Sequence, residues 1–217
     1  MLPLYDVIPS RTTPVVTIGL IALNVLVFLF EMSLGESVDL FLQTYGLVPA
    51  EFSLPTLASS MFLHGGISHV GGNMLFLWIF GDNVEDRMGH LRFLTFYLLC
   101  GTAAALAQTL MQPASLVPMV GASGAVAGVM GAYFVLYPQS QIVTFALFQF
   151  IEVPAILFLG LWFLLQFLNG VGSLSASAST GGIAFWAHIA GFAAGVVGVF
   201  LFRKPERQRV EWWDGGR

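Results

Sequence analysis

Charge is scarce in this sequence: 9% of its 217 residues are Asp, Glu, Lys or Arg, against 57% hydrophobic residues and a mean hydropathy of +0.83. A water-soluble domain carries charge on about a quarter of its residues. This chain therefore cannot clothe its exterior in polar groups, and most of that exterior must face the lipid bilayer. Cysteine is reduced to Cys100, in an apolar stretch, which excludes an intrachain disulfide framework and leaves a packing residue. No His-Glu-x-x-His pattern occurs, and His64 and His69 stand five apart without a supporting carboxylate, so no metal and no other cofactor is expected. The Gly-x-Ser-x-Gly elbow of soluble hydrolases is missing too, because position 125 is Ala125. The net charge of −4 names no partner, and no nucleic acid is expected to bind. The N-terminal apolar run begins near Val15 behind the acidic Asp6, and no small-x-small cleavage site follows before Glu31, so it reads as a retained span and not a signal peptide.

Long apolar runs are what the sequence has in quantity. Windows of about 20 residues, the length that crosses a hydrocarbon core as helix, give spans at 14–33, 69–86, 91–111, 120–137, 151–169 and 184–202. Runs such as "VVTIGLIALNVLVFLF" are continuously apolar, unlike the alternating strands of a barrel. The expected fold is an all-α polytopic membrane protein, a six-helix bundle over residues 1–202 with a tail at 203–217. The fourth run is short and Gly-rich, so its helix is expected to begin below the membrane surface. Arg11 precedes span one, Arg87 and Arg92 flank the turn after span two, and Arg203, Lys204, Arg207, Arg209 and Arg217 follow span six. Six spans put all eight basic residues on one side, which predicts cytoplasmic termini and an outward-facing first loop over 34–68. Trp212 and Trp213 in the tail are expected to touch the interface.

Polar groups within a bilayer are costly, so each is a functional candidate. Spans two, four and six run inward from the outer face, which brings His69, Asn73, Ser123 and His188 to similar depth. His69 and Asn73 are four apart and share a helix face. Ser123 opens its span, where an unpaired backbone N–H and the positive helix end would stabilise an oxyanion. Its bland alternative is a simple cap. Gly124 and Gly128 alone read as helix packing, and Gly191 and Gly195 allow close approach around His188. If those helices meet, the imidazole can take the hydroxyl proton. Acidic residues at 82, 85, 86 and 152 fall at the inner ends of spans, so a dyad is expected without a carboxylate third member, and Lys204 lies on the wrong side for a serine–lysine pair. Asp82 has no opposing acid for an aspartyl mechanism. Asn24, Gln108, Gln166 and Asn169 read as interhelical hydrogen bonders, with Gln166 and Asn169 placed to influence a substrate gate.

The segments "HGGISHVGGN", "GASG", "AHIAGFAAG" and "EDR", in their order along residues 55–202, resemble the rhomboid family of intramembrane serine proteases. The resemblance implies Ser123 as nucleophile and His188 as general base. It implies an oxyanion site from the Asn73 side chain, His69 and the Ser123 backbone N–H, with Gly121 shaping the entering loop. His64 would brace the first loop, and Glu85 and Arg87 would be structural. Implied substrates are single-span transmembrane proteins, cut near the outer membrane face. The sequence departs from the family where many members carry a first-loop Trp-Arg pair, here Pro55 and Thr56, and an aromatic one turn after the serine, here Ala127. Two other readings stand beside the enzyme: an inactive rhomboid-like protein that binds transmembrane helices, and a small transporter, for which no internal repeat is evident. The compact single core points to a prokaryotic inner membrane.

Overall fold

The computed structural model describes residues 2–146, 148–173 and 184–205. Helices follow the apolar runs closely: α1 (Val15–Ser33), α4 (Ile67–Met88), α5 (His90–Met111), α6 (Ser123–Leu136), α7 (Ala155–Ser173) and α8 (Phe185–Phe202). Between α1 and α4 the chain forms two short helices, α2 (Val38–Tyr45) and α3 (Leu54–Ser59). Among the described residues four helices are long and apolar enough to cross a membrane: α1, α5, α8 and, over Ala155–Gly172, α7. The α6 helix is shorter, at 14 residues, and α4 ends in the charged run Asp82 to Arg87. The expected tail from 203 and its Trp212 and Trp213 lie, beyond residue 205, outside the described residues.

The protein is mostly but not wholly helical, which corrects the all-α expectation. Strands β1 (Leu2–Asp6), β2 (Gln141–Ala146) and β3 (Gln149–Pro154) form an antiparallel sheet in that order. The segments "QIVTFA" and "QFIEVP" are rich in β-branched and aromatic residues, which suit a pleated surface. Phe145 stands opposite Phe150 with ring centroids 5.5 Å apart. An apolar window cannot distinguish such strands from a helix start, and the helix of the fifth run, α7, accordingly begins at Ala155 and not at 151. The sheet is tied to the bundle by Asp6, which accepts from the Tyr133 hydroxyl at 2.5 Å and the Asn83 amide at 3.0 Å. Burial raises the Asp6 carboxyl above its usual range.

The same end of the bundle gathers the described basic residues Arg11, Arg87 and Lys204. The Arg11 and Thr12 amides donate to Asp86 at 2.6 and 3.0 Å, and the Lys204 amide donates to the Arg87 carbonyl at 2.8 Å. Glu85 is buried there. Its carboxylate accepts from the Val16 and Thr17 amides at 2.9 and 2.8 Å and from the Thr17 hydroxyl at 2.7 Å, and it meets His90 Nδ1 at 2.5 Å. A charge thus satisfies first-turn N–H groups of α1 that have no helical acceptor. The Arg87 side chain bonds Tyr137.

The α6 helix is the centre of the molecule, and every residue from Gly124 to Tyr133 is buried. Its backbone lies directly on α8. A methyl added at Gly195 would stand 2.7 Å from the Gly128 carbonyl carbon, and one at Gly131 would stand 3.0 Å from that of Phe192. Cys100 on α5 is buried against Gly128. Without these small residues the helix axes could not approach so closely.

Candidate functional site

The helices that carry the polar candidates begin side by side at the end opposite the basic residues. The loop entering α6 is pinned before Ser123 is reached: Leu47 and Met119 exchange backbone hydrogen bonds at 3.0 and 2.8 Å, and the Gly121 amide donates to the Ser60 carbonyl at 2.9 Å. Gly121 has φ +125°, a conformation that L side chains rarely adopt, and a methyl there would stand 2.7 Å from the His69 ring. This turn starts α6 at Ser123, three residues later than the apolar run suggests.

Ser123 and His188 meet. The Ser123 Oγ and His188 Nε2 are 2.8 Å apart, the serine from the first residue of α6 and the histidine from the first turn of α8. The close packing of Gly191 against Gly124 fixes the two helices at that level. At the N-terminus of α6 the Ser123 N–H has no helical acceptor, and the helix dipole presents positive potential.

His69 and Asn73 on α4 approach Gly121 from the other side. The Gly65 amide donates to His69 Nδ1 at 3.4 Å, so that nitrogen is the acceptor and the proton resides on Nε2, the atom facing Gly121. Among the described residues the buried Asn73 Nδ2 has no hydrogen-bond partner, and it would stand 3.6 Å from a methyl at 121. Two N–H donors thus flank the turn preceding Ser123. Negative charge developing on an oxygen beside the serine would find them already placed. Ser123, His188, His69 and Asn73 line one cavity of about 1070 Å³.

His64 does not line that cavity. It is buried, its amide donates to the Glu31 carboxylate at 3.1 and 3.2 Å, and its ring lies edge-on to His69 with centroids 5.2 Å apart. Burial, with His69 as a lesser cause, lowers the His64 imidazole to about 4. Where many rhomboids have Trp-Arg, Pro55 and Thr56 sit in α3, capped by Ser53 through the Thr56 amide at 3.3 Å. The Ser59 hydroxyl ties this loop to the Tyr45 carbonyl at 2.6 Å.

The surroundings of the imidazole are not evident from the sequence. Ala127 is fully buried against α8, and the ring beside His188 comes instead from α7, where Trp162 lies with its centroid 5.9 Å away. On the same helix Gln166 Oε1 reaches His188 Nδ1 at 2.8 Å. The signal available was the four-residue spacing of Trp162 and Gln166, which puts both on one face. Gln108 on α5 accepts from the Ala187 amide at 3.2 Å, holding the first turn of α8. Among the described residues no group of three His, Cys, Asp or Glu could hold a metal.

A family model for the Rhomboid domain matches residues 51–205, most of the chain and all of these polar groups. The chain belongs to the rhomboid family. Relatives of this rhomboid include the Saccharomyces cerevisiae "Rhomboid protein 1, mitochondrial", 32% identical over 178 residues, which are 78% of this chain and 49% of that protein. The Bacillus subtilis "Rhomboid protease GluP" is 36% identical over 124 residues, 55% of this chain and 24% of that protein. The Arabidopsis thaliana "Rhomboid-like protein 11, chloroplastic" is 31% identical over 170 residues, 75% of this chain and 56% of that protein. This rhomboid thus spans about half or less of the first two relatives, and it is an integral membrane protein.

Proposed function

We propose that this rhomboid is an intramembrane serine endopeptidase that cleaves single-span transmembrane proteins near the outer membrane face. The observation that carries the reading is the 2.8 Å approach of Ser123 Oγ to His188 Nε2 within a cavity also lined by His69 and Asn73. Ser123 Oγ attacks the scissile carbonyl carbon while its proton passes to His188 Nε2. The oxyanion is received by the Asn73 amide, His69 Nε2–H and the Ser123 N–H, with Gly121 leaving room for the carbonyl. On collapse the imidazolium returns the proton to the leaving amine, and water, activated in the same way, releases the acyl group from Ser123. His64, Glu85 and Arg87 hold the scaffold. Neither a metal nor a cofactor enters these steps.

Six spans, formed by α1 and α4 to α8, carry this core over residues 1–202, with the tail at 203–217 and both termini in the cytoplasm. The shared end of Arg11, Arg87 and Lys204 supports that orientation. We assign the protein to a prokaryotic inner membrane; mitochondrial and chloroplastic relatives make the organelle membranes the alternative to be tested by fractionation. A helix-binding protein without activity has no need of the Ser123 to His188 contact, which favours the enzyme. Ser123→Ala and His188→Ala, reconstituted with a single-span substrate, are each expected to lose at least about 10³-fold in cleavage rate. Cleavage retained in both would overturn the proposal.

A further inference from the structure

The polar atom next to His188, on the face away from the serine, belongs to α7. Gln166 Oε1 stands 2.8 Å from His188 Nδ1. An amide oxygen can only accept, so Nδ1 must carry the proton. A neutral imidazole has one N–H, and with that proton on Nδ1 the lone pair falls on Nε2, the atom 2.8 Å from Ser123 Oγ. Only this tautomer can take the hydroxyl proton. The opposite one would donate toward Ser123 and leave the serine without a base.

We infer that Gln166 is the positioning residue of the catalytic pair, its amide oxygen holding His188 in the tautomer and rotation that activate Ser123. The inference rests on the serine protease reading. Trp162, one turn earlier on α7, lies beside the same imidazole at 5.9 Å. One turn after Gln166, Gly170 lets α7 approach α8, since a methyl there would stand 3.1 Å from Ile189 and 3.5 Å from Phe185. Trp162, Gln166 and Gly170 recur every four residues, so one stripe of α7 supplies the wall, the hydrogen bond and the close contact. The base on α8 and the nucleophile on α6 therefore acquire their proton arrangement from a third helix, and catalysis is coupled to the docking of α7.

The effect of charge at 166 is legible because His188 has few ionisable neighbours among the described residues. α4 faces it with His69, whereas α5, α6 and α7 face it with Gln108, Ser123, Trp162 and Gln166. Gln166→Leu removes the acceptor at nearly constant size. It should lower kcat at least about tenfold to a hundredfold with KM unchanged, by analogy with the loss of the outer hydrogen-bond partner of a metal-bound histidine. Gln166→Glu restores an acceptor and should recover most of that kcat. A carboxylate also favours the imidazolium, so the acid limb of its kcat/KM profile should move to higher pH.

The test is cleavage of a reconstituted single-span substrate by wild type, Gln166→Leu, Gln166→Glu and Ser123→Ala across pH. Loss in Gln166→Leu, recovery in Gln166→Glu and a displaced acid limb support the inference. Wild-type kcat in Gln166→Leu, or an undisplaced limb in Gln166→Glu, overturns it while Ser123→Ala is inactive. If Gln166→Leu does not accumulate as folded protein, the limb of Gln166→Glu decides alone. Cleavage by Ser123→Ala would instead overturn the protease reading beneath it.

Discussion

Gly191→Ala is the substitution that most sharply tests whether backbone contact between α6 and α8 sets the Ser123 to His188 distance. The added methyl would stand 3.0 Å from the Gly124 carbonyl carbon and nearer still to its oxygen, and 3.4 Å from the Ala127 methyl. Carbon–carbon contacts settle at about 3.5–4.0 Å, so the helices must part by about 1 Å at this level. Gly191 lies less than one turn from His188, and Gly124 adjoins Ser123. A comparable displacement would lengthen the 2.8 Å approach of Oγ to Nε2 beyond hydrogen-bond reach. Misplacement of about 1 Å costs about 10²-fold in rate, and overpacking costs about 1–3 kcal/mol in stability. Cleavage rate, rate of fluorophosphonate labelling and thermal midpoint in one detergent would be measured together. Gly19→Ala is the control, since a methyl there meets nothing within 4 Å. A Gly191→Ala enzyme that cleaves and labels at the wild-type rate would refute the reasoning, because contact distance would then not govern the pair.

Two further outcomes follow from contacts away from the serine. Glu85→Ala leaves the Val16 and Thr17 amides without their acceptor, an expected loss of about 1–3 kcal/mol, and a thermal midpoint equal to wild type would show that α1 is held by other means. His64 has a folded-state value of about 4 against 6.5 for a free imidazole, so the unfolded chain binds more protons between them. Its contribution is complete above pH 6.5 and is lost as pH falls toward about 4. Thermal midpoints of wild type and His64→Phe between pH 7 and pH 4.5 check this: the wild type should lose more on acidification, and parallel curves would contradict it.

Much of the bundle was legible because a bilayer demands long apolar runs, and the helices lie within a few residues of those runs. The strands were not, since "QIVTFALFQFIEVP" is as apolar as a helix start and its pairing partner is the distant segment Leu2–Asp6. At the site, the four polar groups could be matched by depth and spacing alone. The partners of His188 could not. Gln166 and Trp162 lie on a helix whose rotation only packing determines, and nothing local to them indicates that they face an imidazole. Glu85 illustrates the same limit: nothing local to it indicates that its carboxylate accepts from the first turn of α1, 68 and 69 residues away.

In the proposed mechanism Ser123 is a nucleophile activated by His188. Fluorophosphonate treatment of the reconstituted protein, followed by peptide mass spectrometry, tests it most directly. A single adduct on Ser123 is expected, absent in Ser123→Ala and strongly slowed in His188→Ala. A protein that stays unlabelled while folded, or an adduct on another residue that persists in Ser123→Ala, would contradict it.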